Sequence, residues 1–157
     1  NTEIRGNIWS SDDSGEIGIT EINNIKDAKK ISVVPHYYLT PLHMGLEYSI
    51  KMLKEMRGSK KLLILITDGY PNYYKNGASI PGSVYNSQCK KSLQKILKVT
   101  PNVICFLVGQ EDSGIKQIMT GIFTSKRFIT VPTMDEASQN IVKKFRQFIG
   151  KNVQNPF

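Results

Sequence analysis

Apolar residues cluster most tightly at Leu62-Leu63-Ile64-Leu65-Ile66, and the run closes on Thr67-Asp68-Gly69-Tyr70-Pro71-Asn72. Five consecutive apolar positions with no polar alternation are the pattern of a strand buried on both faces, as at the centre of a parallel sheet. The expected strand, 62–67, delivers a carboxylate directly into a Gly-x-Pro turn. In open α/β sheets ligands bind outside the carboxyl ends of the strands, so Asp68 stands where a cation, a ribose or a polar partner would be met. Asp-Gly pairs also start turns for purely local reasons. The spacing leaves both readings open.

Upstream, 3–10 and 16–22 read as two short strands around the turn-rich Ser10-Ser11-Asp12-Asp13-Ser14-Gly15. Residues 23–30 are polar, a short helix or loop, and Ile31 to Pro35 is too short to define a strand. A helix is expected over 41–57: Leu42, Leu46, Ile50, Leu53 and Met56 recur at helical spacing, and Gly58 ends the run. Thr40-Pro41 supplies an N-cap hydroxyl followed by proline at the first helical position, where its missing N–H costs nothing. Residues 71–86, rich in Gly, Pro, Asn, Tyr and Ser, read as a long irregular segment. A helix at 87–98 with Leu93, Ile96 and Leu97 follows, then a strand at 102–108, a helix at 113–122 and a strand at 127–131. The last helix, 134–149, opens on the capping box Thr133-Met134-Asp135-Glu136 and carries Ala137, Ile141, Phe145, Phe148 and Ile149 on one face. Alternation of strands and helices at these lengths predicts an α/β fold, a doubly wound and mostly parallel sheet with helices on both faces. The size prior gives one domain, 1–150, with 151–157 as a C-terminal tail.

Composition narrows the function classes. Hydrophobic content of 39% and charged content of 22% are ordinary for a globular protein. No apolar run approaches the ~18–20 residues that span a bilayer, and no basic region leads an apolar stretch at the N-terminus. Residue 1 is Asn rather than Met. A net charge of +8 raises the question of an anionic partner. The lysines are scattered, at Lys51 and Lys54, Lys60 and Lys61, Lys90 and Lys91, and Lys143 and Lys144, and most fall on the expected solvent faces of helices. No aromatic RNA-binding motif or helix-turn-helix pair accompanies them, so a solvated basic surface is favoured over a nucleic-acid site. Cys89 and Cys105 lack metal-ligand or redox spacing. Both read as free thiols of a reducing compartment, Cys105 as a small core residue.

Thr40-Pro41-Leu42, the run from Leu62 to Pro71, the helix-strand-helix order after it and the closing strand-helix pair resemble a von Willebrand factor A domain, the fold of integrin I domains. The resemblance covers roughly 35–149, with the 3–22 hairpin matching the family's second and third strands. Thr-Pro-Leu followed by Leu-Ile-Thr-Asp-Gly-Tyr-Pro-Asn is similar above all to the intracellular bacterial branch. That branch includes the cobaltochelatase subunit and the activator of nitric oxide reductase, which work with AAA-type ATPases. The resemblance implies a cytoplasmic, non-enzymatic interaction module whose metal-ion-dependent adhesion site engages an acidic residue of a protein partner. Thr40 and Asp68 match the family's metal-binding threonine and aspartate, for magnesium, and Gly69, Tyr70, Pro71 and Asn72 match the partner-binding loop. Hard cations prefer such oxygen donors. Thr40 also explains itself as a helix cap, and the two roles are compatible.

One departure is large. The family's Asp-x-Ser-x-Ser motif does not follow any apolar strand here. Asp12-Asp13-Ser14-Gly15-Glu16 has glutamate at the second serine's position, and Ile4-Arg5-Gly6-Asn7-Ile8 before it is not a buried strand pattern. The expectation is that the first strand and helix lie upstream and that magnesium needs the motif they carry. The alternative is a degenerate, metal-independent scaffold. His36 and His43 have no partner at metal-binding spacing and read as structural or solvent-facing. An enzyme of the doubly wound type is the remaining reading, and Gly-x-Gly-x-x-Gly, Walker and Gly-x-Ser-x-Gly motifs are all missing.

Overall fold

A computed structural model describes residues 5–11, 16–22, 40–67, 74–75, 78–79, 81–109 and 112–154. Two compact units are woven from alternating stretches of chain, Asn1–Lys61 with Tyr70–Pro101, and Leu62–Gly69 with Asn102–Phe157.

In the first unit, β1 (Gly6–Ser11) and β2 (Ile17–Ile22) form the expected antiparallel hairpin, in register from Gly6 opposite Ile22 to Ser11 opposite Ile17. Helix α1 (Leu42–Glu55) packs on β1 and on α2 (Gly82–Leu97). Its inner face is Leu42, Leu46, Ile50 and Leu53, one residue per turn, with Gly45, Ser49 and Met52 beside them. Each large apolar side chain buried there stabilises the pair by about 1.5–3 kcal/mol. The buried Ser49 hydroxyl returns its hydrogen bond to the Gly45 carbonyl at 2.7 Å, which removes the cost of an unmatched polar group. Lys61 caps the far end by donating to the Leu53 carbonyl at 2.5 Å.

Helix α2 begins five residues before the expected 87. Gly82, Ser83 and Asn86 weigh as loop formers, but Tyr85, Cys89, Ser92, Leu93 and Ile96 all fall on one buried face. Packing of that face overrides the weak propensity of the first turn. Within the segment expected to be irregular, Tyr74–Lys75 (β4) and Ala78–Ser79 (β5) pair antiparallel.

The second unit holds a parallel sheet in the order β3 (Leu63–Thr67), β6 (Val103–Val108), β7 (Phe128–Val131). Helix α3 (Ser113–Phe123) joins β6 to β7 and packs on β7, and α4 (Met134–Gln154) packs on β6 and β7. The α/β class and the parallel direction agree with the sequence reading. In the described sheet β6 lies between β3 and β7, and among the described residues β3 pairs with β6 alone. Ile66 is 42% exposed, while Phe106, paired with it, is fully buried. A continuous apolar run marks a strand with little solvent-facing alternation, but does not say how many neighbours it has.

Side chains alternate across this sheet. Phe106, Val108 and Val131 meet Ala137 of α4, and Ile64, Ile104, Ile129 and Ile141 complete that cluster. Leu65, Cys105 and Leu107, on the opposite face, are also buried. Helix α3 is capped by Asp112, which accepts from the Ile115 amide at 2.9 Å, and α4 by Thr133, which accepts from Glu136 at 3.2 Å. The latter is the threonine half of the expected capping box. Helix α4 runs on to Gln154, through Gly150 and into the expected tail, because one glycine weakens a helix by about 1 kcal/mol without ending it. Among the described residues no helix is long and apolar enough to cross a membrane.

Candidate functional site at the head of helix α1

Thr40 is half-buried, and Pro41 behind it is fully buried. The N-cap is Pro41 rather than Thr40, a one-residue displacement from the sequence expectation: the Pro41 carbonyl accepts from Met44 and Gly45 at 2.9 and 3.1 Å and starts the helical ladder. Its ring carries no capping oxygen. The neighbouring α2 contributes one instead. The Tyr85 hydroxyl accepts from the His43 amide at 3.4 Å and donates to the Thr40 carbonyl at 3.2 Å. One phenol thus serves a first-turn amide and ties Thr40 to α2. The Leu42 amide reaches the same Thr40 carbonyl at 2.8 Å.

His43 stands edge-on to the Tyr85 ring, 5.0 Å between centroids. It lies in the seam between two helices, the structural one of the two readings that the sequence left open. Burial pushes its imidazole below the ordinary value, opposed by the carboxylate of Glu47 one turn on. Glu47 accepts from the Ser92 hydroxyl at 2.6 Å and from Lys95 at 2.9 Å. The serine hydrogen bond first, and the lysine second, hold that carboxyl below its usual range. Burial pushes the Tyr85 phenol up strongly and the Cys89 thiol up to about 12, so neither ionises near neutrality. Cys89 is therefore a packed thiol and not a nucleophile. Cys105, also free, is buried in β6 and raised for the same reason.

Tyr85 is the residue that sequence reasoning missed. It falls in the segment assigned to loop, although its spacing of four to Cys89 and eleven to Ile96 is a helical signal. Of the other expected site residues, Asp68, Gly69, Tyr70, Pro71 and Asn72 lie outside the described residues, as does His36. Thr67, directly before Asp68, is buried at the carboxyl end of β3.

A threonine hydroxyl and an aspartate carboxylate are the hard oxygen donors that magnesium takes, with the remaining positions filled by water. The donor chemistry of Thr40 and Asp68 thus fits the ion, as an incomplete set. Among the described residues, which do not include Asp68, no three His, Cys, Asp or Glu side chains gather as a metal cluster. Compared with protein-family models, with curated proteins and with solved structures, the chain has no match.

Proposed function

We propose that the chain is a non-enzymatic protein-interaction module of the von Willebrand factor A type, docking an acidic residue of a partner through magnesium. The observation that carries this reading is the parallel β3–β6–β7 sheet, in which β3 ends at Thr67 and passes directly to Asp68-Gly69-Tyr70-Pro71. The antiparallel β1–β2 hairpin before α1, and the strand-helix alternation after β3, follow the order that the sequence resemblance implies. The doubly wound arrangement, with helices on both faces of one sheet, belongs to the same proposal. So do a cytoplasmic location and a role as adaptor to an AAA-type ATPase in activating a metalloenzyme. Thr40 and Asp68 are the donors this chain would offer, and the Gly69 to Asn72 loop would meet the partner. When bound, magnesium would supply an open coordination position for the partner's carboxylate.

The second reading, a metal-independent scaffold, draws on β1. The strand before Asp12-Asp13-Ser14-Gly15 belongs to an antiparallel hairpin, with Ser11 opposite Ile17, so that loop does not follow a parallel strand. Calorimetric titration with magnesium separates the two. With only two donor loops, this chain should show no tight binding at millimolar magnesium, because the ion dehydrates reluctantly and demands near-octahedral geometry. A polypeptide that supplies Asp-x-Ser-x-Ser upstream should bind, and Asp68→Ala in it should abolish both metal and partner binding. Partner binding that survives chelation and Asp68→Ala would establish the scaffold instead.

A further inference from the structure

Helices α1 and α2 run side by side in the same direction: His43 meets Tyr85, and one turn later Glu47 meets Ser92 and Lys95. Lys51 and Lys54 continue from Glu47 at helical spacing, and Lys91 and Lys98 flank Lys95 in the facing row of α2. All five lysines are exposed. The carboxylate that spacing places between the rows, Glu47, is already held by Ser92 and Lys95, and Glu55 turns instead to Arg5 at 3.3 Å. Lys51 lies over the Tyr48 ring, 5.7 Å from its centroid. Among the described residues, Lys54, Lys91 and Lys98 have no ion-pair partner. Cations in a last turn offset the helix dipole, and that accounts for Lys54 and Lys95. It does not account for Lys51 and Lys91, which lie earlier in their helices.

We propose that the solvent side of the α1–α2 seam is a docking track for an extended acidic segment of a partner protein. Packed helices lie about 8–10 Å apart, so one extended chain spans both lysine rows. At about 1.5 Å rise per residue, Lys91, Lys95 and Lys98 follow one another at ~6 and ~4.5 Å along the axis. An extended peptide presents same-side residues about every 6.6 Å, a comparable interval. Lysines are compact, hydrated charges on flexible stems, suited to spaced carboxylates, whereas bidentate phosphate recognition favours arginine. Base stacking would need an open aromatic face. Tyr48 gives its ring to Lys51 and its hydroxyl to Glu21, and Tyr85 is buried. The seam therefore favours an acidic peptide over single-stranded nucleic acid.

The test is fluorescence anisotropy of labelled poly-L-glutamate with the full chain at low salt, with chelator present throughout. This surface needs no metal, so its failure is distinct from failure of the magnesium reading. Lys91→Glu with Lys98→Glu should weaken binding about tenfold, and Lys91→Gln with Lys98→Gln should weaken it less, in the same direction. Lys126→Glu with Lys143→Glu reverses two exposed lysines elsewhere at the same net charge and should leave affinity unchanged. Circular dichroism confirms that each variant is folded. Undetectable binding by the wild-type chain would overturn the proposal, as would equal weakening by the two charge-reversed pairs. Labelled oligouridylate binding more tightly than polyglutamate would overturn it too, and assign the seam to nucleic acid.

Discussion

The indole of Trp9 in β1 lies against Gly45 of α1, so close that a Cβ on Gly45 would overlap ring atoms Cδ2, Cε2 and Nε1. A hairpin and a helix meet here through the absence of a side chain. Gly45 is a poor helix former retained for that approach. In an open helix Gly→Ala gains about 1 kcal/mol. Here the methyl must displace a rigid ring, and overpacking costs roughly 1–3 kcal/mol. Gly45→Ala should therefore destabilise the chain, and Trp9→Leu should relieve much of the loss in the double variant. Trp9 is the single tryptophan, so denaturation followed by its fluorescence reads the contact directly. A raised midpoint with unchanged emission would mean that the indole is not seated on α1.

Strand position sets the cost of truncation in the parallel sheet. Leu65 and Phe106 are 4% and 0% exposed, and replacing either by alanine should cost about 2–5 kcal/mol through the cavity left behind. Ile66, next to Leu65 but 42% exposed, should cost under about 1.5 kcal/mol. Lys54→Ala on the solvent face should stay within about 0.5 kcal/mol. Urea titrations of the four variants decide. A loss at Ile66 equal to that at Leu65 would show that Ile66 is as well covered as Leu65.

Much of this architecture is legible in the sequence because pattern and packing agree. Helix α1, strands β3, β6 and β7, and the Thr133 cap of α4 all stand within a residue or two of where periodicity places them. What the pattern misses is set by tertiary contacts. The start of α2 is set by Tyr85 packing under α1, a tertiary contact that outweighs the loop-forming look of Pro81, Gly82 and Ser83. The candidate site is legible in part. Thr40 is recognisable from Thr-Pro, but its anchoring to Tyr85 joins residues 45 positions apart and has no local signature.

Thr124 ends α3 with φ of 64°, a left-handed conformation that a β-branched residue rarely adopts. The helix closes on it nonetheless, through Thr124 N–H to the Thr120 carbonyl at 2.9 Å and Arg127 N–H to the Thr124 carbonyl at 3.1 Å. Thr124→Gly keeps both backbone bonds and removes the strain, and should stabilise by about 1 kcal/mol. The added freedom of the unfolded chain offsets part of that gain. A loss of stability in thermal unfolding would show that the threonine side chain holds a contact worth more than the strain.

Acid should weaken the α1–α2 seam in two steps. Burial holds the folded His43 below its ordinary value, so between the two values the unfolded chain binds more protons, and stability falls as pH drops below about 6.5. The Glu47 carboxyl, also lowered, contributes stability that is present above its ordinary value and lost as pH falls beneath about 4.5, damped by solvent at this exposed group. His43→Gln should flatten the first step, and Glu47→Gln should flatten the second while deepening the first, because its carboxylate opposes the lowering of His43. Denaturation midpoints measured from pH 7.5 down to about pH 3 give the profile. A first step that persists in His43→Gln would assign it to other groups.

The Tyr85 hydroxyl links stability to the candidate site. Tyr85→Phe keeps the buried ring and its edge contact with His43 but removes the oxygen that accepts from the His43 amide and donates to the Thr40 carbonyl. The Thr40 carbonyl keeps the Leu42 amide, so the loss should be about 1 kcal/mol, of the order of a single hydrogen bond. Leu93→Ala, on the buried face of the same helix, serves as a packing control. If Thr40 is a magnesium donor, Tyr85→Phe carries a second signature, because a donor held less firmly binds an ion of strict geometry less well. In a polypeptide that supplies the upstream Asp-x-Ser-x-Ser loop, Tyr85→Phe should weaken magnesium binding, while Leu93→Ala, though destabilising, should not. Equal magnesium affinity in wild type and Tyr85→Phe, alongside the expected stability loss, would confine Tyr85 to capping α1 and argue against Thr40 as a ligand.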